Sequence, residues 1–228
     1  MVGKYLVRSA LGVMALLAAA VALYSLRYYG VLADSWLDVD PKIRAVIAQV
    51  PIQALTHMLI APIALLLGPF QFFPGLRAKY PQAHRWSGRV YVTACVVAGI
   101  GGLAAAPHAS GGPVAGFGFG ILAVLWVGTT LGAWRAAVQR QFALHRLLMR
   151  FSYAMTFGAV TLRLQIPLGL ALGYPTYSAM SVWLAYTSWI PNVIVVALYS
   201  MTEAWRRPVA PATLNNDAPF SVTQPMPR

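Results

Sequence analysis

The side chains in this sequence that could hold a ligand fall into two sets. The first is His84 and His145, each of which opens the same short pattern, His-Arg-x-x-x-Arg: Arg85 and Arg89 follow the first histidine, Arg146 and Arg150 the second. A tyrosine comes soon after each, Tyr91 and Tyr153. Neutral imidazole is a common ligand for haem iron and other metals, so two histidines meeting at one depth would suit a metal ion or one b-type haem. Arg85, Arg89, Arg146 and Arg150 would then be placed for haem propionates, lipid phosphates or an anionic substrate. On this reading the chain is a small membrane electron carrier exchanging electrons with a quinone or another membrane redox partner. The alternative is that the His-Arg pairs only rest on lipid phosphates and helix ends.

The second set lies deeper in apolar sequence: Gln49, Gln53 and His57 in one stretch, Arg163 and Gln165 in another, and Asn192 in a third. The first three are spaced i, i+4, i+8, which predicts one shared helix face. An ionisable group in hydrocarbon is costly and must face a partner or a cavity. Helices running in opposite directions would put His57 and Arg163 at similar depths, roughly 10 to 20 Å in. These positions point to a pocket for an anionic or quinone-like small molecule, with Arg163 as charge partner and Gln53, His57 and Gln165 as hydrogen-bonding groups. Against it stands mutual hydrogen bonding that merely pins helix packing. A third reading makes the protein a non-catalytic subunit of a larger membrane complex. A second haem would have to pair His57 with His108, whose depths do not match.

Composition sets the environment in which this chemistry would occur. The chain has 228 residues, of which 59% are hydrophobic and only 10% charged, and a mean hydropathy of +0.64. That is a membrane protein rather than a soluble domain. The net charge of +12 does not indicate a nucleic-acid partner, because Lys and Arg collect in short gaps between apolar runs instead of along one amphipathic face. The expected partner of those gaps is the lipid bilayer. No aspartate or glutamate falls inside an apolar run, which counts against intramembrane aspartyl proteases and carboxylate-based ion carriers. There is no GxSxG, HExxH or P-loop pattern. The single cysteine, Cys95, sits in an apolar run and reads as a packed thiol.

Six apolar runs predict an all-α, polytopic fold, a six-helix transmembrane bundle over residues 1–205 with helices at about 5–26, 44–73, 90–106, 117–138, 147–172 and 177–201. Pro51 and Pro62 predict kinks or a late start in the second run, and Pro191-Asn192 interrupts the sixth. Gly99, Gly101 and Gly102 permit close helix contact in the third. The paired His-Arg motifs predict a weak internal helix-loop-helix repeat. The tail, 206–228, is rich in Pro, Ala, Asn and Ser and is expected to be disordered on the cytoplasmic side.

The segment from His57 to Gln71 (HMLIAPIALLLGPFQ), the motif HRWSGRVY at 84–91, and HRLLMRFSY at 145–153 leading to Thr161-Leu162-Arg163 resemble the bacterial predicted membrane proteins grouped as domain of unknown function 2306. The likeness covers roughly residues 50 to 165. It implies a multispanning helical protein of the bacterial inner membrane whose marked residues include these His and Arg positions, and it implies no established reaction.

Charge gives the expected orientation. The N-terminus, the 77–89 and 135–150 connections and the 206–207 end carry Lys4, Arg8, Arg77, Lys79, Arg85, Arg89, Arg135, Arg140, Arg146, Arg150, Arg206 and Arg207, whereas the intervening gaps carry only Arg27, Lys42 and Arg44. Basic gaps stay in the cytoplasm, so both termini are predicted there. A reporter enzyme active only outside the cytoplasm, fused after Arg207, is expected to stay silent. Strong activity would require an odd number of crossings.

Overall fold

The computed structural model describes residues 2–33 and 39–205, which are 88% helix with no strand. In chain order the helices are α1 (Val2–Tyr24), α2 (Arg27–Gly30), α3 (Pro41–Gln49), α4 (Pro51–Gln71), α5 (Pro74–Lys79), α6 (Pro81–Ala105), α7 (Gly112–Val138), α8 (Phe142–Thr156), α9 (Gly158–Ala171), α10 (Tyr177–Thr187) and α11 (Ile190–Trp205). Four consecutive helices, α3 to α6, begin at a proline. Its fixed φ suits the first helical position, and its missing N–H is no loss there. Asp40 caps α3, its carboxylate accepting from the backbone N–H of Lys42 at 2.8 Å.

Among the described residues, six stretches are long and apolar enough to cross a membrane: Arg8–Gly30, Pro51–Gln71, Pro81–His108, Gly112–Val138, Phe142–Ala171 and Tyr177–Glu203. The number agrees with the hydropathy pattern, but several boundaries do not. The second run is two helices, because Pro51 disfavours a helical conformation at Val50, which sits at φ −136°. Gln49 is therefore exposed at the end of α3 and does not share a face with Gln53 and His57. The third span starts nine residues before the apolar run does, so the His84 motif lies on helix and not in a loop. The fifth span breaks at Phe157 and the sixth at Ser188-Trp189. The tail, 206–228, lies outside the described residues.

Successive spans run in opposite directions, which gathers the His84 and His145 motifs at one end of the bundle, the basic end. The turn from α7 to α8 is short because Arg140 takes a left-handed φ of 59°. The Gln141 N–H then reaches back to the Ala136 carbonyl at 2.8 Å and closes the helix end. The helices that carry the two motifs differ in length. α6 continues for 25 residues, whereas α8 stops after 15, so the expected repeat is not evident beyond the motifs themselves.

α4 packs along α6, α7 fills the space between α6 and α8, and α1 closes against α4 and α9. The buried centre holds Tyr91, Cys95, Trp126, Met149, Tyr153 and Met155. Large apolar side chains such as Ile100, Phe117, Leu168 and Val195 are exposed on the outside, which a lipid-facing surface requires. Close approach depends on glycine at two contacts. A Cβ on Gly101 would stand 2.9 Å from the Gln53 carbonyl oxygen, and one on Gly102 would stand 2.8 Å from His57 Nδ1. A Cβ on Gly68 would fall inside the Tyr153 ring.

Replacing Gly68 with leucine is expected to destabilise the protein by about 3 kcal/mol or more, the upper range for overpacking, because the Tyr153 ring has no free space to enter. Reversible unfolding in detergent would measure it, with Gly75→Leu, where a Cβ meets nothing within 4 Å, as the neutral control.

Candidate functional site

Helix breaks in an apolar bundle release backbone carbonyls, and these consume part of the polar inventory. Pro69 lacks the N–H that would bond the Leu65 carbonyl, and Tyr153 supplies an O–H to it at 3.3 Å. Pro191 withdraws the donor for the Thr187 carbonyl, which accepts instead from Gln165 Nε2 at 3.1 Å, while the Thr187 hydroxyl donates back to Gln165 Oε1 at 3.0 Å. Asn192 Nδ2 donates to the Ala154 carbonyl at 3.2 Å, just before the break at Phe157, and to Thr161 Oγ1 at 3.0 Å. Gln165 and Asn192 are thus bound into the joints of the fifth and sixth spans.

A second group of polar atoms forms a closed cluster at mid-depth. Tyr91 Oη lies 2.9 Å from Ser152 Oγ and 3.0 Å from Thr156 Oγ1, Thr130 Oγ1 lies 2.7 Å from Ser152 Oγ, and Trp126 Nε1 donates to Thr156 Oγ1 at 2.8 Å. The protons have acceptors within the group: Thr156 donates to the Ser152 carbonyl and Thr130 can donate to that of Trp126. Hydroxyls serve here because each both donates and accepts. The cluster ties α6, α7 and α8 together, and the free, buried Cys95 lies beside it. The tyrosines of the two motifs meet at this level, their ring centroids 6.5 Å apart.

Arg163 and His57 are placed differently. Both line a cavity of about 1020 Å³ that runs from the connections opposite the basic end down to Trp126 and Thr156. His57 Nδ1 is 3.0 Å from the Ala98 carbonyl. A carbonyl only accepts, so Nδ1 carries the proton and Nε2 is left as the nitrogen available to a ligand. The ring stands edge-on to Trp126, with centroids 6.5 Å apart. Arg163 Nη1 donates to the Ala159 carbonyl at 3.1 Å and Nη2 to Ser25 Oγ at 3.4 Å. Among the described residues no carboxylate pairs with it, and the described ion pair is elsewhere, between Arg150 and Glu203. His57 and Arg163 thus share one cavity. The sequence placed them together correctly in depth: they sit about 9 Å and 12 Å along their helices from the same end.

Other expectations separate here. Gln53 and Gln165 are not among the residues lining the cavity, whereas Arg27 and Tyr28 are. The available signal was that Arg27 is one of three basic residues in the gaps opposite the basic ones. Its guanidinium stacks on Tyr24 at 3.9 Å and bonds the Tyr28 hydroxyl at 3.2 Å. Two prolines also belong to this region. Pro62 removes the helical donor for the Met58 carbonyl and Pro167 that for the Arg163 carbonyl, and all four residues line the cavity.

At the basic end, His145 Nδ1 donates to the Ala133 carbonyl at 2.9 Å, which leaves its Nε2 for a ligand. His84 Nδ1 is buried without a hydrogen-bond partner. The two imidazoles are close enough for the charge of one to act on the other. Arg89 lies over the Trp86 ring at 4.8 Å, and Arg85 shares a small surface concavity with these two. Arg150 is committed to Glu203 and to the Tyr199 ring. Among the described residues no group of three or more His, Cys, Asp or Glu is gathered as a metal site.

A family model described as predicted membrane protein (DUF2306) matches residues 54–200. The match extends past the motifs noted in the sequence to take in the sixth span. No curated protein and no solved structure matches the chain.

Proposed function

We propose, for a chain that belongs to the DUF2306 family of predicted membrane proteins, that this integral membrane protein binds an apolar small molecule with an anionic or quinone-like head in the cavity shared by His57 and Arg163. The observation that carries the reading is Arg163, a guanidinium at membrane depth that faces a large apolar cavity with no carboxylate partner among the described residues. Such a charge is costly in hydrocarbon and marks a ligand path or site by default. The guanidinium has five N–H donors, and the two described bonds leave others for an occupant. The cavity is at the upper end of the roughly 300–1,000 Å³ usual for small-molecule sites. Under the charge bias of the gaps, both termini face the cytoplasm of a bacterial inner membrane and the cavity opens toward the other side.

Native mass spectrometry of the full chain released from its own membrane is expected to find a small molecule retained by the wild-type protein, lost from Arg163→Ala and partly kept by Arg163→Lys. Ligand at about 100 times its Kd stabilises the folded state by about 2.7 kcal/mol, so its loss also lowers the melting temperature. Equal retention by wild type and Arg163→Ala would end this reading.

A second reading rests on the basic end. His145, oriented through Nδ1 by the Ala133 carbonyl, has the backing usual for a metal-ligating imidazole, and the unpartnered His84 stands near it. These two would hold a metal ion or one haem b, with Arg85, Arg89 and Arg146 toward its anionic groups. Purified protein from haem-replete cells should then show a Soret band that His84→Ala and His145→Ala each abolish. A colourless, metal-free wild type would remove it.

A further inference from the structure

The cavity is polar at one end only, and that asymmetry bears on what fills it. Near the connections opposite the basic end it is lined by Ser25, Arg27, Tyr28, Asp40, Arg163 and Tyr177. Toward the middle of the bundle the lining becomes Met58, Ala61, Leu65, Ala123 and Met155, ending at Trp126 and Thr156. Three of the donors at this deep end are already used. Trp126 Nε1–H goes to Thr156, the Thr156 hydroxyl goes to the Ser152 carbonyl, and His57 Nδ1–H goes to the Ala98 carbonyl. A head group that must accept hydrogen bonds therefore finds the Trp126, Thr156 and His57 donors occupied and a single serine hydroxyl, Ser188, in the lining, while an alkyl tail finds apolar walls.

The polar end makes the opposite demand. Arg163 has a weak, 3.4 Å bond to Ser25 and one bond to a carbonyl of its own helix. Arg27 and Asp40 line the same end, so the rim carries charge of both signs, and the two described bonds of Arg163 go to neither. A neutral acceptor such as a quinone carbonyl could use the N–H groups but would leave the Arg163 guanidinium without a carboxylate bonded to it among the described residues. A carboxylate or phosphate satisfies both, through two parallel N–H···O bonds to one planar fork.

Resting on the ligand-binding reading of this cavity, we infer that the occupant is an anionic single-chain amphiphile, its carboxylate or phosphate head at Arg163 and its tail directed inward past Met58 and Leu65 to Trp126. From Arg163 to Thr156 the chain advances seven residues, about 10 Å along the helices, which is the depth available to the tail below the head group. His57 flanks the tail and Arg163 holds the head. The two residues thus have separate tasks: charge selection by Arg163, and shape with one remaining acceptor nitrogen from His57.

The test uses the full chain in phosphatidylcholine nanodiscs, with its melting followed in the presence of decanoate, decyl phosphate, decanol or decylubiquinone. Decanoate or decyl phosphate is expected to raise the melting temperature by several degrees, the larger shift naming the head group, while decanol and decylubiquinone leave it unchanged. Arg163→Gln should lose the anion-dependent shift and Arg163→Lys keep part of it. Because Arg163→Gln could fail to fold, a decanoate carrying a terminal diazirine is also photolysed on the unaltered protein. Its label is expected on the 58–65 segment or at Trp126, and excess decanoate but not decanol should compete it away. Labelling confined to the Tyr177 peptide would reverse the orientation and overturn the inference. A shift with decylubiquinone alone would overturn it too while leaving the ligand-binding reading in place. No shift with any probe, together with equal native retention by wild type and Arg163→Ala, would remove both.

Discussion

The structure depends on one constraint: a backbone carbonyl that loses its helical partner inside an apolar bundle must find another donor or face a cavity. Four prolines release such carbonyls in the spans. Tyr153 supplies the donor for Leu65 and Gln165 the donor for Thr187, each from another span. Each bond therefore closes a break and joins two spans at once. The remaining pair, at Met58 and Arg163, belongs to residues lining the cavity. Irregular backbone and open volume thus occur together, on α4 and α9.

This constraint sorts the polar residues. Those in the joints and in the hydroxyl cluster have partners within the protein, and removing one would leave the other unsatisfied in a low-dielectric interior, which costs more than the bond itself contributes. Arg163 and His57 retain unspent capacity, an N–H fork in one case and Nε2 in the other. A binding reading is drawn from that remainder. Gln165 is as polar and nearly as deep as Arg163, yet it is already bonded in both directions to Thr187.

The two ends of the bundle are built for different surroundings. At the basic end Arg150 pairs with Glu203 and stacks on Tyr199, and Arg89 lies over Trp86. Stacked guanidiniums and tryptophan suit the head-group layer, where charge is solvated and contributes little net stability. At the other end Arg27 is held between Tyr24 and Tyr28 above a cavity. The same residue type is an anchor at one end and part of a pocket rim at the other, and the difference lies in whether the neighbouring helices leave room beside it.

By itself the sequence determined the number of spans, the basic end, the close contact that glycines permit along the third span, and the common depth of His57 and Arg163. Those features follow from local quantities: hydropathy over about twenty residues, charge in the gaps, side-chain size, and a rise of about 1.5 Å per residue. The family likeness was also legible there, from motifs of a few residues each. The break at Val50, which takes Gln49 off the His57 face, follows from Pro51 and is likewise local. Tertiary structure alone decided the rest. It bound Gln165 to Thr187, brought Arg27 and Tyr28 to the cavity and enclosed Tyr91 with Ser152 and Thr156. The partners in these contacts are separated by 22 residues in Gln165 to Thr187 and 61 in Tyr91 to Ser152. Whether a polar side chain is spent on such a contact or left facing a cavity is set by which helices meet and how closely, and no local pattern in the chain encodes that.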